Sequence, residues 1–240
     1  MSERVTTSMS VRLLLSDLMA SAERLSATQR RISSGKAIAV PSDDPFATAR
    51  ALELRSALDE YRQYQRNVGE ARAWQSVVDG ALGQISAFLL RARELLVQGA
   101  TDSAGPAARE AIAAEVDQRV AAVKQAANAQ YAGRYVLAGT QTTTAPYDQA
   151  SDAYAGDTST VVKEIGRGVR VDVSLAGVSV VGDGTTGLVA TLRQIAADLR
   201  AGNTAALQGA DLQALDAAHD TVTNARAVVG ALGNRLEAAA

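Results

Sequence analysis

The chain contains no cysteine and a single histidine, His219, in 240 residues. The first absence removes disulfides, thiolate metal sites and cysteine nucleophiles. The second removes any centre built on two or three imidazoles, such as a catalytic zinc or a facial-triad iron. Aromatic residues are scarce as well: one Trp, six Tyr and two Phe. The hydrophobic 47% is therefore mostly Ala, Val and Leu, a composition suited to close helix packing rather than to a bulky-walled ligand cavity. The net charge is only −2, with acidic and basic residues interspersed, and without a basic face nucleic acid is not expected as the main partner. No apolar run approaches the roughly 20 residues that span a bilayer, so no membrane insertion is expected. Residues 1–10 are polar and lack the apolar core of a cleavable secretory signal.

What the sequence does have is heptads. Val11, Leu18, Leu25 and Ile32 step by seven, which predicts a helix that packs along one narrow stripe. The stripe stops at Ser33-Ser34-Gly35. The segment from Ser34 to Pro45 holds Gly, Lys, two Pro and two Asp, the punctuation of a loop. At Ser42-Asp43-Asp44-Pro45 a new helix is signalled, with Asp44 as its cap and Pro45 in the first helical position, where no N–H is needed. Two lanes follow: Leu54, Tyr61, Val68, Gln75, Leu82, Leu89, Leu96, and Ala57, Tyr64, Ala71, Val78, Ile85, Ala92. Only Gln75 breaks the apolar or tyrosine pattern. One helix from about Phe46 to Val97 is expected, and at 1.5 Å per residue it would run about 80 Å, which calls for an elongated rod. After a turn at Gly99–Pro106, a second helix over Ala107–Ala129 is expected to pack back antiparallel.

Between Gly133 and Gly187 the period changes to two. Val169, Val171, Val173 and Leu175 alternate with Arg170, Asp172 and Ser174, and Val178 and Val180 flank Ser179, which predicts a small unit of antiparallel strands. Helical spacing returns at Leu188, Leu192, Ile195 and Leu199, breaks at Ala201-Gly202-Asn203, and resumes through Leu215, Val222, Val229 and Leu236. The fold class expected is mainly α with a small β insert: an antiparallel coiled-coil-like helical rod plus a small antiparallel β domain. The divisions expected are an N-terminal helix and loop (1–45), the first part of the rod (46–135), the β domain (136–187) and the returning part of the rod (188–240).

Few residues offer chemistry. Gly182-Asp183-Gly184-Thr185-Thr186-Gly187 matches the dinucleotide pattern G-x-G-x-x-G, but the segment after it is Ala- and Leu-rich helix, with no second strand and acidic residue to complete a βαβ unit. A flexible return into a helix is the better reading. Adjacent Asp43 and Asp44 before a Pro-started helix read as caps. Asp148, Asp152 and Asp157 miss the alternate-residue spacing of a Ca²⁺ loop and read as solvated. His219, without a nucleophile motif, reads as a residue on a helix rim. No enzyme, cofactor or metal site is expected, and association is favoured over catalysis.

The stretch Arg31-Ile-Ser-Ser-Gly-Lys-Ala-Ile-Ala-Val-Pro-Ser-Asp-Asp-Pro45, with Ala49-Arg-Ala-Leu-Glu-Leu-Arg55, resembles the N-terminal signature of the flagellin superfamily. Its Pro-Ser-Asp-Asp-Pro form resembles the hook-associated protein 3 branch, where flagellin itself usually carries Lys-Asp-Asp-Ala-Ala. Gly133-Arg-Tyr-Val-Leu-Ala-Gly-Thr-Gln-Thr142, Pro146-Tyr147, Tyr154-Ala-Gly-Asp157 and Asn224 to Leu236 are also similar to the superfamily. The resemblance implies a non-enzymatic subunit of the bacterial flagellum, exported unfolded by the type III apparatus and found at the cell exterior. It implies a ring of identical subunits between hook and filament, with a neighbouring hook-associated junction protein, flagellin and an export chaperone as partners. A short filament flagellin is the alternative. The subunit-interface residues expected are Val11, Leu18, Leu25 and Ile32 with Ser42, Asp43, Asp44 and Pro45. The superfamily carries a further C-terminal helix that pairs with the N-terminal one, so residues 1 to about 40 are expected to lack that partner here.

Overall fold

The computed structural model describes residues 2–36, 41–42, 44–101 and 103–239. It divides into two compact units, residues 1–60 and 61–240. In the first unit, α1 spans Ser2–Ser34 and ends at Gly35, whose φ of +65° lets the chain leave the helix. The next helix, α2 (Pro45–Gly99), is 55 residues long. Asp44 starts it as expected: its carboxylate accepts the backbone N–H of Ala47 at 2.9 Å and its carbonyl that of Thr48 at 2.9 Å. Pro45 follows as the first helical residue.

The second unit packs the later part of α2 with α3 (Pro106–Ala127), α4 (Leu188–Ala201), the short α5 (Thr204–Gln208) and α6 (Ala210–Ala238). Ion pairs give the directions. Arg72, Arg93 and Asp79 of α2 meet Glu237, Asp216 and Arg226 of α6, so the two helices run antiparallel. Arg200 and Arg193 of α4 meet Glu110 and Asp117 of α3 in the same opposed sense. The main core joins Leu82, Ile85 and Leu89 of α2 to Val116, Val120 and Val123 of α3, Leu192, Ile195 and Leu199 of α4, and Leu215, Val222 and Val229 of α6. Gly99 sits where α2, α3 and α4 converge. A Cβ there would lie 2.2 Å from Leu199 Cδ2, so any larger residue would push that buried side chain aside.

The heptad lanes of α2 are continuous in sequence, but burial begins at Val68; Leu54 and Tyr61 remain 52% and 69% exposed. Gln75, the outlier in the lane, is buried and donates its amide to the Val173 carbonyl. A second core joins Val68 and Ala71 of α2 with Ile165, Val171, Val173 and Leu236.

Two antiparallel hairpins form: β1 (Gln130–Tyr131) with β2 (Arg134–Tyr135), ahead of the expected 136–187 stretch, and β3 (Val162–Gly166) with β4 (Val169–Asp172) inside it. The alternation at Val169–Asp172 is thus a strand, as expected. Val178–Val181 is not: Gly177–Ser179 forms a 3-10 turn, and Val180 and Val181 are buried in the helical core. Their apolar spacing reflects burial of a turn on a core rather than a pleated face. The end of α3 also falls two residues before the expected Ala129. Asn128 closes it by bonding Tyr147 in both directions, donating to its carbonyl at 2.6 Å and accepting its N–H at 3.0 Å.

Candidate subunit interface

In a helix of 33 residues, a stripe of apolar side chains facing solvent is costly to expose and points to a covering surface. Val11, Leu18, Leu25 and Ile32 of α1 are 52%, 61%, 62% and 77% exposed, and Met9, Leu14 and Leu15 are exposed beside them. Polar residues on the same helix bond locally: Thr28 to the Arg24 carbonyl and Arg30 to Ser26. In the same unit Phe46, Leu52, Leu54 and Leu58 of α2 are also exposed. Ser42, Asp44 and Pro45 are exposed, and Asp44 serves as the α2 cap. Asp43 lies outside the described residues.

The residues with potential chemistry are committed to structure. In the Gly182–Gly187 loop, φ is +95° at Gly182 and +83° at Gly187, and a Cβ on Gly182 would fall 2.0 Å from the Thr186 carbonyl. The glycines let this loop close on itself. Asp183 fills it, accepting the backbone N–H groups and hydroxyls of Thr185 and Thr186 at 2.7–3.0 Å. These bonds, led by the Thr186 N–H, pull its carboxyl down to about 2. A fixed negative charge on these donors opposes a pyrophosphate, and the strand that a dinucleotide site needs before the loop is absent.

His219 Nε2 lies 3.3 Å from Ser86 Oγ across the α2–α6 seam, a pairing with no sequence motif to announce it. Both residues sit mid-helix, where backbone N–H groups are already bonded four residues back and none is free to hold an oxyanion. The pair therefore acts as an inter-helix contact.

Asp152 is not simply solvated. It accepts Lys124 Nζ at 3.0 Å and Arg193 at 2.9 Å, and those bonds, Arg193's first, hold its carboxyl below the usual range. Lys124 is itself only 1% exposed and also donates to the carbonyls of Gln149 and Ser151. Sequence reasoning missed this anchor, because a lysine beside Val123 in a helix looks like a surface residue. Asp157 holds Thr140 through its backbone N–H and its hydroxyl. Tyr147, whose phenol is pushed up by burial, donates to the Gly182 carbonyl at 2.6 Å. No cluster of three potential metal ligands occurs among the described residues, and no helix among them is long and apolar enough to cross a membrane.

The N-terminal helical region of bacterial flagellin matches residues 5–142, more than half of the sequence. The chain belongs to the flagellin family. Within that family it is similar to flagellar hook-associated protein 3 of Salmonella typhimurium, at 27% identity over 163 residues, covering 68% of this chain and 51% of that protein. Flagellin of the same organism aligns over less, 140 residues at 31% identity, covering 58% of this chain and 28% of that one. A solved structure from Vibrio parahaemolyticus, assigned as a flagellar hook-associated protein, superposes with a TM-score of 0.72 at 26% identity, covering 83% of this chain and 92% of that one. The chain spans about half the length of the hook-associated relative from Salmonella. The helical fold with its small β hairpins is the fold of these flagellar neighbours.

Proposed function

We propose that the chain is a structural subunit of the bacterial flagellum, an adaptor at the hook–filament junction, and not an enzyme. The observation that carries this reading is the exposed apolar stripe of α1, Val11, Leu18, Leu25 and Ile32, in a member of the flagellin family. Burying one such side chain contributes about 1.5–3 kcal/mol, so four along one helix make a strong driving force for association. The α1 stripe and the loop containing Ser42, Asp43, Asp44 and Pro45 make the subunit contacts in this reading. The partners are copies of the chain in a ring, a neighbouring hook-associated junction protein, flagellin, and an export chaperone before assembly. Export is by the type III route to the cell exterior. The inner axial domain includes residues 1–45, the helical domain combines 46–135 with 188–240, and the β domain covers 136–187.

A short filament flagellin is the competing reading, and the 31% identity to Salmonella flagellin is what favours it. The longer alignment to hook-associated protein 3 favours the junction. Deleting the gene separates them. A cell that loses its filament while shedding flagellin into the medium supports the adaptor, whereas loss of the major filament protein itself overturns it. Replacing Leu14, Leu18 and Leu25 by Ser is expected to abolish filament attachment while leaving the 61–240 unit folded; attachment that survives the triple change removes α1 from the interface.

A further inference from the structure

The bend that carries the chain from α4 to α6 brings two buried carboxyls together. Asp198 lies in the last turn of α4 and Asp211 in the first turn of α6, both more than nine-tenths buried and within hydrogen-bonding reach of each other. The donors around them are shared unequally. Asp198 Oδ2 accepts the Gln194 amide at 2.6 Å and Asp198 Oδ1 that of Asn203 at 2.9 Å, whereas Asp211 Oδ2 is enclosed with no hydrogen-bond partner. A buried carboxylate oxygen without a donor is costly, and two carboxylates in one enclosed site repel each other. One proton relieves both: carried by Asp211, it supplies a donor toward Asp198 and cancels one of the two charges.

No cation among the described residues takes that proton's place. On α3, Arg109 reaches the bend at Gly202 but donates to the carbonyls of Gly99 and Thr101, and Glu110 pairs with Arg200 of α4, which also holds Asp117. On α2, Arg93 pairs with Asp216 of α6, and Arg91 with Glu94 and Glu115. The short α5 has no ionisable side chain, and His219 lies about two turns further along α6, against Ser86. A first-turn position ordinarily favours a charged carboxylate. Here no backbone N–H donates to Asp211, and burial together with the Asp198 charge prevails.

The same residues tie the bend together. The Asn203 N–H donates to the Asp198 carbonyl at 3.0 Å, and Asn203 Oδ1 accepts the Ala206 N–H at the start of α5. Leu207 is fully buried, and Gln208 donates to the Ala100 carbonyl at 2.8 Å, where α2 turns toward α3. We propose that Asp198 and Asp211 form a proton-operated latch: one proton between the carboxyls keeps the bend closed on the helical unit, and its loss sets two like charges against each other and opens residues 201–210. The latch is closed on the acid side and opens as pH rises through the Asp211 value, which burial lifts above the ordinary carboxylate range. It is internal to the 61–240 unit and does not depend on the junction assignment.

Carboxyl-carbon NMR of the full chain between about pH 3 and about pH 8 reads the proton directly, with Asp211 expected to titrate above the ordinary aspartate value of about 3.9. In Asp198→Asn, which removes the like charge, that midpoint is expected to fall. Hydrogen exchange, corrected for the intrinsic pH dependence of amide exchange, reads the opening. Across the Asp211 transition, protection over residues 201–210 is expected to drop at least about fivefold more than protection over 112–127. Asp211→Asn keeps a donor for Asp198 without a charge, and its 201–210 protection is expected to stay at the acid-side level. Four results each overturn the proposal: an Asp211 midpoint at or below about 3.9; protection over 201–210 that follows 112–127 at every pH; a midpoint unmoved in Asp198→Asn; or an undiminished drop in Asp211→Asn. The first two are read on the unaltered chain and need no variant to fold.

Discussion

Two sets of heptads in this molecule use the same residue types and meet opposite fates. Leu82, Leu89 and Leu96 on α2 are 0–1% exposed, while Leu18 and Leu25 on α1 are 61% and 62% exposed. Within α2 itself the change comes between Tyr61 and Val68, with no change in the pattern. A heptad therefore states which face of a helix is to be covered and says nothing of what covers it. In residues 61–240 the cover is supplied by α3, α4 and α6 of the same chain. Ion pairs fix the register there, and the loops have dedicated anchors such as Lys124 and Tyr147. The described side chains of α1 have mainly local hydrogen bonds. One region is held by its own chemistry; in our reading the other is left for assembly.

This contrast can be broken by measurement, beginning where the effect should be largest. Leu192→Ala removes a fully buried side chain from the α3–α4–α6 core and is expected to cost about 2–5 kcal/mol in urea unfolding. A cost below about 1 kcal/mol would mean that this core is not close-packed. Next comes Lys124→Ala, which strips a buried ammonium from two carbonyls and from Asp152. A loss of about 2–3 kcal/mol is expected, because Asp152 keeps Arg193 but the carbonyls lose a charged donor. Hydrogen exchange should quicken first over residues 147–153, and uniform quickening instead would show that the anchor is not local.

The third effect is smaller and depends on pH. Burial raises the Asp211 carboxyl above its ordinary range, and the neighbouring Asp198 adds to the rise. Both carboxylates are buried, and Asp198 is already supplied with donors by Gln194 and Asn203. The folded chain thus keeps a proton on Asp211 at pH values where the unfolded chain has released it. This contribution is most favourable below the unfolded carboxylate value of about 3.9 and is lost as pH rises through the folded value. Asp211→Asn mimics the protonated acid and should flatten that part of the stability–pH curve; a curve superposable on the parent's sinks the assignment. The smallest effect is expected in α1, where Leu18→Ala should leave stability within about 0.5 kcal/mol. A loss comparable to that of Leu192→Ala would show that α1 is covered within the chain, and the contrast between the two regions would fail.

Much of the fold was legible because its signals are local. The Asp44–Pro45 start of α2, the alternation at Val169–Asp172 and the apolar spacing of α4 each depend on a few neighbouring residues. The misreadings share one cause, contact between residues distant in sequence. Val178–Val181 reads as a strand by alternation, yet it turns because the helical core takes both Val180 and Val181. Lys124 reads as surface, yet residues 149–152 fold over it. The expected interface was legible only as a stripe of residue types on α1.

The burial of Lys124 has a practical corollary. The sequence holds only three lysines: Lys36 is exposed, Lys163 is tied to Glu70, and Lys124 is enclosed. Amine-reactive reagents therefore meet a folded molecule whose most open lysine follows α1, and a second handle that opens only when the loop over α3 lifts. The ratio of acylation at these two positions turns an ordinary labelling reaction into a gauge of how far the chain has folded, one that mass spectrometry can read in a crude mixture.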